Sequence, residues 1–237
     1  MSGKVGNITT DIIADGLVLN IDAANRASTI PSTSTSTAHN TLDSSITATL
    51  YTDSIWTKST ISPSFNTDGT DGYISVNNYT GFNGLEQFTV NFWVQATSNN
   101  AGLVFDSPLT LNDSNTLYIT FLQWFNSTTE FKFRLITDGG TTDLTINFGS
   151  SFFDSTWKNI TLYYDGSFMK VFQNGISIAS TAKTGTMSVP STADLYLMKS
   201  YAGNIMIGNI NGVQIYNRAL STSEILHNYN ALKGRFS

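Results

Sequence analysis

No cysteine occurs in the chain, so disulfides and thiolate metal centres are excluded and nothing marks the redox compartment. Basic residues are few: 12 Lys and Arg against 17 Asp and Glu give a net charge of −5. None of them forms a block, which removes the electrostatic footprint of a nucleic-acid binder. The two histidines, His39 and His227, have no serine, aspartate or second histidine at a motif spacing. Each reads as a solvated surface residue rather than a general base or a ligand. No apolar run approaches the ~18 residues of a membrane helix, and no membrane insertion is expected. The opening Met1-Ser-Gly-Lys lacks the apolar core of a signal peptide, which points to synthesis in a cytoplasm without a secretion signal.

What the chain does have is Ser, Thr, Asn and Gly set between short alternating apolar runs. Such a composition is neither disordered nor helical, and 237 residues suit one large β domain. The clearest stretch is Trp157 to Ser180. Ile160, Leu162 and Tyr164 share one parity there, as a half-buried strand requires. Asp165-Gly166 and Asn174-Gly175 then offer two hairpin turns. Phe88, Val90 and Phe92 form another inward set, with Thr89, Asn91 and Trp93 opposite. Residues 1–15 show few signals beyond Ile8, Ile12 and Ile13 and read as an N-terminal arm. Residues 16–237 read as the sandwich, with a long polar loop from Ser28 to Ser45. One helix closes the chain. Ser221 and Glu224 make a capping box, and Ile225, Leu226, Tyr229 and Leu232 form an apolar stripe.

The Trp157, Asp165-Gly166 and Asn174-Gly175 succession resembles the laminin-G-like members of the concanavalin A-like lectin/glucanase superfamily. The resemblance recurs at SPSFNTDGTDGYISV (62–76), at FTVNFWVQ (88–95), at GLVLNIDAAN (16–25) and most fully at GNINGVQIYNRALSTSEI (208–225). It implies an all-β fold, a two-sheet antiparallel jelly-roll sandwich, here with one short C-terminal helix. It implies no single function, since this fold carries lectins, glycosidases, adhesion modules and virion parts. Glycosidases of the family place paired carboxylates in a Glu-x-Asp-x-x-Glu run, one as acid and one as nucleophile. Glu86, Glu130 and Glu224 form no such run, and the cap already explains Glu224. No catalytic residue is therefore assigned, and no enzyme activity is expected.

Candidate sites are few. Asp68 and Asp71, with Asn66 and Gly69, could offer oxygens to calcium, but turn formation explains the same residues. Asn112-Asp113 is a weaker candidate. Asn211 stands where the family's closing motif usually carries Asp, which removes a charge. No metal or other cofactor is expected. Trp93, Trp124 and Tyr163 project opposite the core parity and could line a sugar-binding groove. Cover by loops or a neighbouring subunit is the preferred reading. Phe172 reads as structural. Ile8, Ile12 and Ile13 could dock the arm on a partner subunit. Three functions follow. One is a non-enzymatic structural or adhesion protein of a phage particle, such as a capsid decoration or a tail-fibre component, residing in the virion. Its partners would be other virion proteins or copies of itself. This reading draws on the ending NRALSTSEILHNYNALKGRFS, which resembles that of phage-encoded domains of this kind. The second is a carbohydrate-binding module recognising cell-surface or host glycans. The third is an unrecognised glycosidase.

Overall fold

A computed structural model describes residues 12–29, 36–51, 55–57, 63–96, 107–114, 116–123, 130–148 and 152–236. In chain order the first eight strands are β1 (Leu17–Ile21), β2 (Thr37–His39), β3 (Thr47–Tyr51), β4 (Ile55–Thr57), β5 (Ser64–Asp68), β6 (Tyr73–Val76), β7 (Phe88–Ala96) and β8 (Leu109–Asn112). The next eight are β9 (Leu117–Gln123), β10 (Glu130–Thr137), β11 (Gly140–Asn147), β12 (Lys158–Tyr164), β13 (Phe168–Gln173), β14 (Ile176–Ala182), β15 (Asp194–Leu197) and β16 (Ile207–Tyr216). Helix α1 (Thr222–Leu232) follows, then a 3-10 turn at Lys233–Arg235. One sheet runs β14-β13-β12-β7-β16-β5-β4, with β1 also paired to β16. The other runs β11-β10-β9-β8-β15-β6-β3-β2. The two sheets form an antiparallel sandwich of the jelly-roll kind.

Alternation places the core between the sheets. Phe88, Val90, Phe92, Ile160 and Leu162 from one sheet are fully buried, as their parity predicts. They meet Ile119, Phe121, Phe131, Phe133 and Leu135 of the other sheet in one apolar cluster. Packed aromatic edges tie the sheets together, as between Phe92 and Phe121, whose centroids are 6.2 Å apart. The second hairpin turn is as expected, with φ of 53° at Asn174 and 79° at Gly175, the paired positive values a type I′ turn requires. The first is shifted by one residue. The N–H of Asp165 donates to the carbonyl of Phe168 at 3.1 Å, so Gly166-Ser167 occupy the turn and Gly166 takes φ 85°. The Asp165 carboxylate caps it, accepting from the N–H of Ser167 and of Phe168.

Two expected boundaries need correction. The polar stretch 28–45 is not simply a loop, because β2 lies within it and pairs with β3. Its side chains are polar because they replace missing backbone partners. Ser28 Oγ accepts from the N–H of Asp22, Thr29 Oγ1 donates to the carbonyl of Ala23, and Asn40 Nδ2 donates to the carbonyl of Val18. Residues 30–35 lie outside the described residues. The arm is also shorter than expected. Ile13 donates its N–H to Asn228 Oδ1 at 2.8 Å and accepts from the Tyr216 hydroxyl at 3.0 Å. Its side chain packs on Phe172, Tyr216, Leu220 and Ile225, and Ile12 packs on Trp93, Leu232 and Phe236. Both isoleucines are therefore packed against the chain's own closing segment. Ile8 lies outside the described residues.

The helix is pinned at its start. Ser221 and Glu224 exchange the two bonds of the capping box. Arg218 grips the same carboxylate with two guanidinium nitrogens, at 3.0 and 2.6 Å. It also reaches the Asp15 carboxylate at 2.9 Å. The apolar stripe is partly as expected. Ile225 and Leu232 are buried, Leu226 is 43% exposed, and the inward place between them is taken by buried Asn228. Asn228 earns it by bonding both Ile13 and the Tyr216 hydroxyl.

Candidate functional site

A sandwich has two outer faces, and a ligand site needs one that the chain leaves open. Over Trp93 the outer face of the β7 sheet is closed by α1 and the turn after it, while the β13–β14 end stays open, with Phe168 46% exposed. Trp93 is 3% exposed. It stacks on Phe236 at 4.3 Å and on Tyr229 at 5.7 Å. Of the two readings of Trp93, the geometry fits the covered one: its ring faces are taken by the chain's own aromatics. Beneath the helix lies a polar layer. Asn91 Nδ2 donates to Gln214 Oε1, and Asn159 Nδ2 and Thr161 Oγ1 donate to Asn91 Oδ1. Tyr163 is half-buried. Lys170 Nζ sits 5.0 Å from its ring centroid, Phe172 meets it edge-on, and its hydroxyl donates to Asp165 Oδ2. Burial, with the Asp165 carboxylate beside it, pushes this phenol up to about 12. The structure does not bring Tyr163 and Trp93 together in an open groove. Trp124 lies outside the described residues.

The other outer face is different. Inward Leu195 and Leu197 put Asp194 and Tyr196 outward, inward Ile74 puts Tyr73 outward, and inward Leu50 puts Tyr51 outward. Tyr51 and Tyr73 are a cross-strand pair and stack at 4.4 Å. Lys199 Nζ lies 3.7 Å from the Tyr73 centroid on the strength of a cation–π attraction, and 4.7 Å from that of Tyr196. Tyr73 also meets Tyr196 edge-on at 5.9 Å. Tyr51, Tyr73 and Lys199 are therefore a buttress, and Tyr196 is the ring they hold in place. Its hydroxyl is fixed by donating to Asp194 Oδ2 at 2.9 Å. Burial first, then this carboxylate, raises the Tyr196 phenol, while burial lowers the Lys199 amine.

Pairing of β15 with β8 brings Asp194 opposite Asn112. Next to it, Asp113 Oδ2 accepts from the Tyr118 hydroxyl at 3.0 Å, and Oδ1 accepts from the N–H of Thr116 at 2.7 Å. Two tyrosine–aspartate pairs thus flank Asn112. Asn112 Nδ2 donates to the carbonyl of Asp113, whereas its Oδ1 is buried and unpartnered. Cavities of about 300 and about 430 Å³ open on either side of Asn112, Asp113 and Ser114, the first lined by Asp194 and Tyr196, the second by Tyr201. Tyr201 is 50% exposed. The arrangement offers aromatic faces, fixed acceptors and hydroxyls, the elements that seat a polyhydroxylated ring. Of these residues sequence reasoning considered only Asn112 and Asp113, for calcium. Strand parity around Leu195 could have exposed Asp194 and Tyr196.

The first calcium candidates, Asn66 and Asp68, lie on β5 in the other sheet. Asp68 Oδ1 accepts from the N–H of Thr70 in a turn, and Asn66 Nδ2 donates to the carbonyl of Gly208 and to Asn209 Oδ1. Among the described residues no three His, Cys, Asp or Glu side chains gather as a metal site would need. Asn211 is fully buried. It accepts from the N–H of Ala23 and of Gly212 and donates Nδ2 to the carbonyl of Pro63. An aspartate could not make that donation, which gives the departure from the family pattern a structural reason.

A family model described as the concanavalin A-like lectin/glucanases superfamily matches residues 68–226. Sequence comparison with curated proteins gives no match. Among solved structures, the binding domain of paraclostridial mosquitocidal protein 1 superposes with a TM-score of 0.69 at 16% identity, over 91% of this chain and 52% of that one. This chain thus spans about half its length. Domain 4 of AbnA, a GH43 extracellular arabinanase from Geobacillus stearothermophilus, in complex with arabinotriose, gives 0.64 at 14% identity, over 90% of this chain and 98% of that one. The binding domain of botulinum neurotoxin DC in complex with SialylT gives 0.66 at 17% identity, over 93% and 52%.

Proposed function

Since the chain belongs to the concanavalin A-like lectin/glucanase superfamily, we propose that it is a non-catalytic glycan-binding module whose site is the β8–β15 outer face. The observation that carries this reading is the pre-organised group of Tyr196, Asn112, Asp113 and Asp194, with Ser114 and Tyr201 beside it. Pre-organisation matters because ordering side chains on binding subtracts from affinity. The neighbours support the reading, since they include toxin binding domains and an arabinanase domain holding arabinotriose. Binding rather than hydrolysis is favoured by how the carboxylates are engaged. Asp113 and Asp194 each accept from a tyrosine hydroxyl and a backbone N–H, and Glu86, Glu130 and Glu224 form no acid–nucleophile run.

A glycan array probed with the purified protein tests this reading. Selective binding is expected, with no release of reducing ends on long incubation with polysaccharides. An array without selective binding would refute it, and released sugar would make the protein an enzyme. We place the module in a phage particle as the finer reading, on the resemblance of its closing segment to phage-encoded domains. Mass spectrometry of purified particles decides that point, since a virion component must appear there in fixed proportion to the coat protein.

A further inference from the structure

We propose that this face takes the interior of an uncharged sugar chain, several units at a time, rather than a single terminal sugar. The inference rests on the glycan-binding reading and deepens it. Besides the two cavities that share Asn112, Asp113 and Ser114, a third of about 350 Å³ at the rim of the sheet is lined by Thr47, Thr49, Asn77 and Asn78 and by the apolar Val18, Ile46, Val76 and Tyr79. It adjoins the Asp194 cavity, because the N–H of Asn78 donates to Asp194 Oδ1 at 2.8 Å. The order is thus the Thr47 cavity, the Asp194–Tyr196 cavity, then the Tyr201 cavity, each sharing a wall or a hydrogen bond with the next. A pocket for one terminal sugar would be a single cavity closed around it. Here the middle cavity has a neighbour on both sides, and a ring seated in it has room for linked rings in each direction.

The lining also selects by charge. Among the described residues no Lys, Arg or His lines any of the three cavities, whereas Asp113 and Asp194 do. Lys199, the cation beside Tyr196, lies over the rings of Tyr73 and Tyr196. A chain bearing carboxylates or sulfates would meet like charge and lose affinity. A neutral chain instead brings hydroxyl donors, which the two carboxylates can accept.

The test is an array of neutral homo-oligosaccharides (glucans, mannans, galactans and arabinans) of one to six units beside sialylated and uronic chains, followed by calorimetry on the best neutral series. Affinity should rise by about 10-fold or more from two units to four, and acidic chains should bind more weakly than neutral ones. Thr47→Arg and Tyr201→Ala, checked for an unchanged melting temperature, should each remove part of the gain on lengthening. Equal affinity for a monosaccharide and its oligomers overturns the inference, as does a preference for acidic chains. So does a length gain that survives both substitutions. Failure to bind any glycan would instead refute the proposed function itself.

Discussion

Replacing Phe236 by alanine tests whether the closing segment seals the outer face of the β7 sheet over Trp93. Phe236 is 7% exposed. It stacks on Trp93 at 4.3 Å with planes 14° apart and meets Trp157 at 4.8 Å. Burial of one such side chain is worth about 1.5–3 kcal/mol, and each ring contact adds about 0.5–1.5 kcal/mol. The turn Lys233–Arg235 can fray without opening the sandwich, so the loss stops at the energy with which that turn docks. The expected cost is about 2–4 kcal/mol, below the upper end for a core phenylalanine, and a fall in Tm on the order of 10 °C. The second readout is fluorescence. Subtracting the spectrum of Trp93→Phe isolates the Trp93 emission, which should move to longer wavelength in Phe236→Ala as water reaches the indole. Trp93→Phe should itself be mild, because the buried indole N–H has no partner and its removal relieves about 1–3 kcal/mol of desolvation cost. An unshifted Trp93 emission together with an unchanged Tm would refute the reasoning and reopen that face to ligands.

Two further outcomes follow from single side chains. Asn211→Asp should lower stability by about 2–3 kcal/mol in thermal melts at neutral pH, since it sets a carboxylate oxygen against the Pro63 carbonyl in a fully buried place. The loss should shrink in acid, where a protonated aspartate can donate to that carbonyl, and equal stability at neutral pH would show the bond to be unimportant. Glu224 is held at about 2 against an ordinary 4.5, first by the Arg218 guanidinium and then by the capping bond to Ser221. The unfolded chain therefore takes up this proton first, so the contribution is whole above about pH 4.5 and is lost as pH falls toward 2. After allowance for solvent around this partly exposed pair it amounts to about 1 kcal/mol. Glu224→Gln should be less stable than the parent at pH 7 and converge with it near pH 2, and a constant gap across that range would contradict the assignment.

Much of the fold was legible because alternation and turn chemistry are local. The parities of Phe88, Val90, Phe92, Ile160 and Leu162 foretold the buried set, and Ser221 with Glu224 foretold the cap. The site was not legible, because covering is a long-range property. Trp93 and Tyr196 look alike in sequence, each an aromatic set opposite an inward parity. They differ only because Tyr229 and Phe236, far along the chain, fold over Trp93, while Tyr51, Tyr73 and Lys199 support Tyr196 from the side. Asn112 and Asp113 read only as a weak calcium candidate. Their meeting with Asp194 is a product of the pairing between β8 and β15, which no local pattern announces. The polar stretch 28–45 misled for a related reason. Ser28, Thr29 and Asn40 are polar because they bond backbone groups of β1 and the residues after it, and a solvated loop would have the same composition.

The central claim is that glycans meet the Tyr196 face and not the Trp93 face. Calorimetric titration of one glycan that the array selects into the parent, Tyr196→Ala and Trp93→Phe tests it most directly. The account predicts that Tyr196→Ala weakens binding by about 10-fold or more with an unchanged fold by circular dichroism, while Trp93→Phe binds as the parent does. Unimpaired binding by Tyr196→Ala, together with loss of binding in Trp93→Phe, would contradict it.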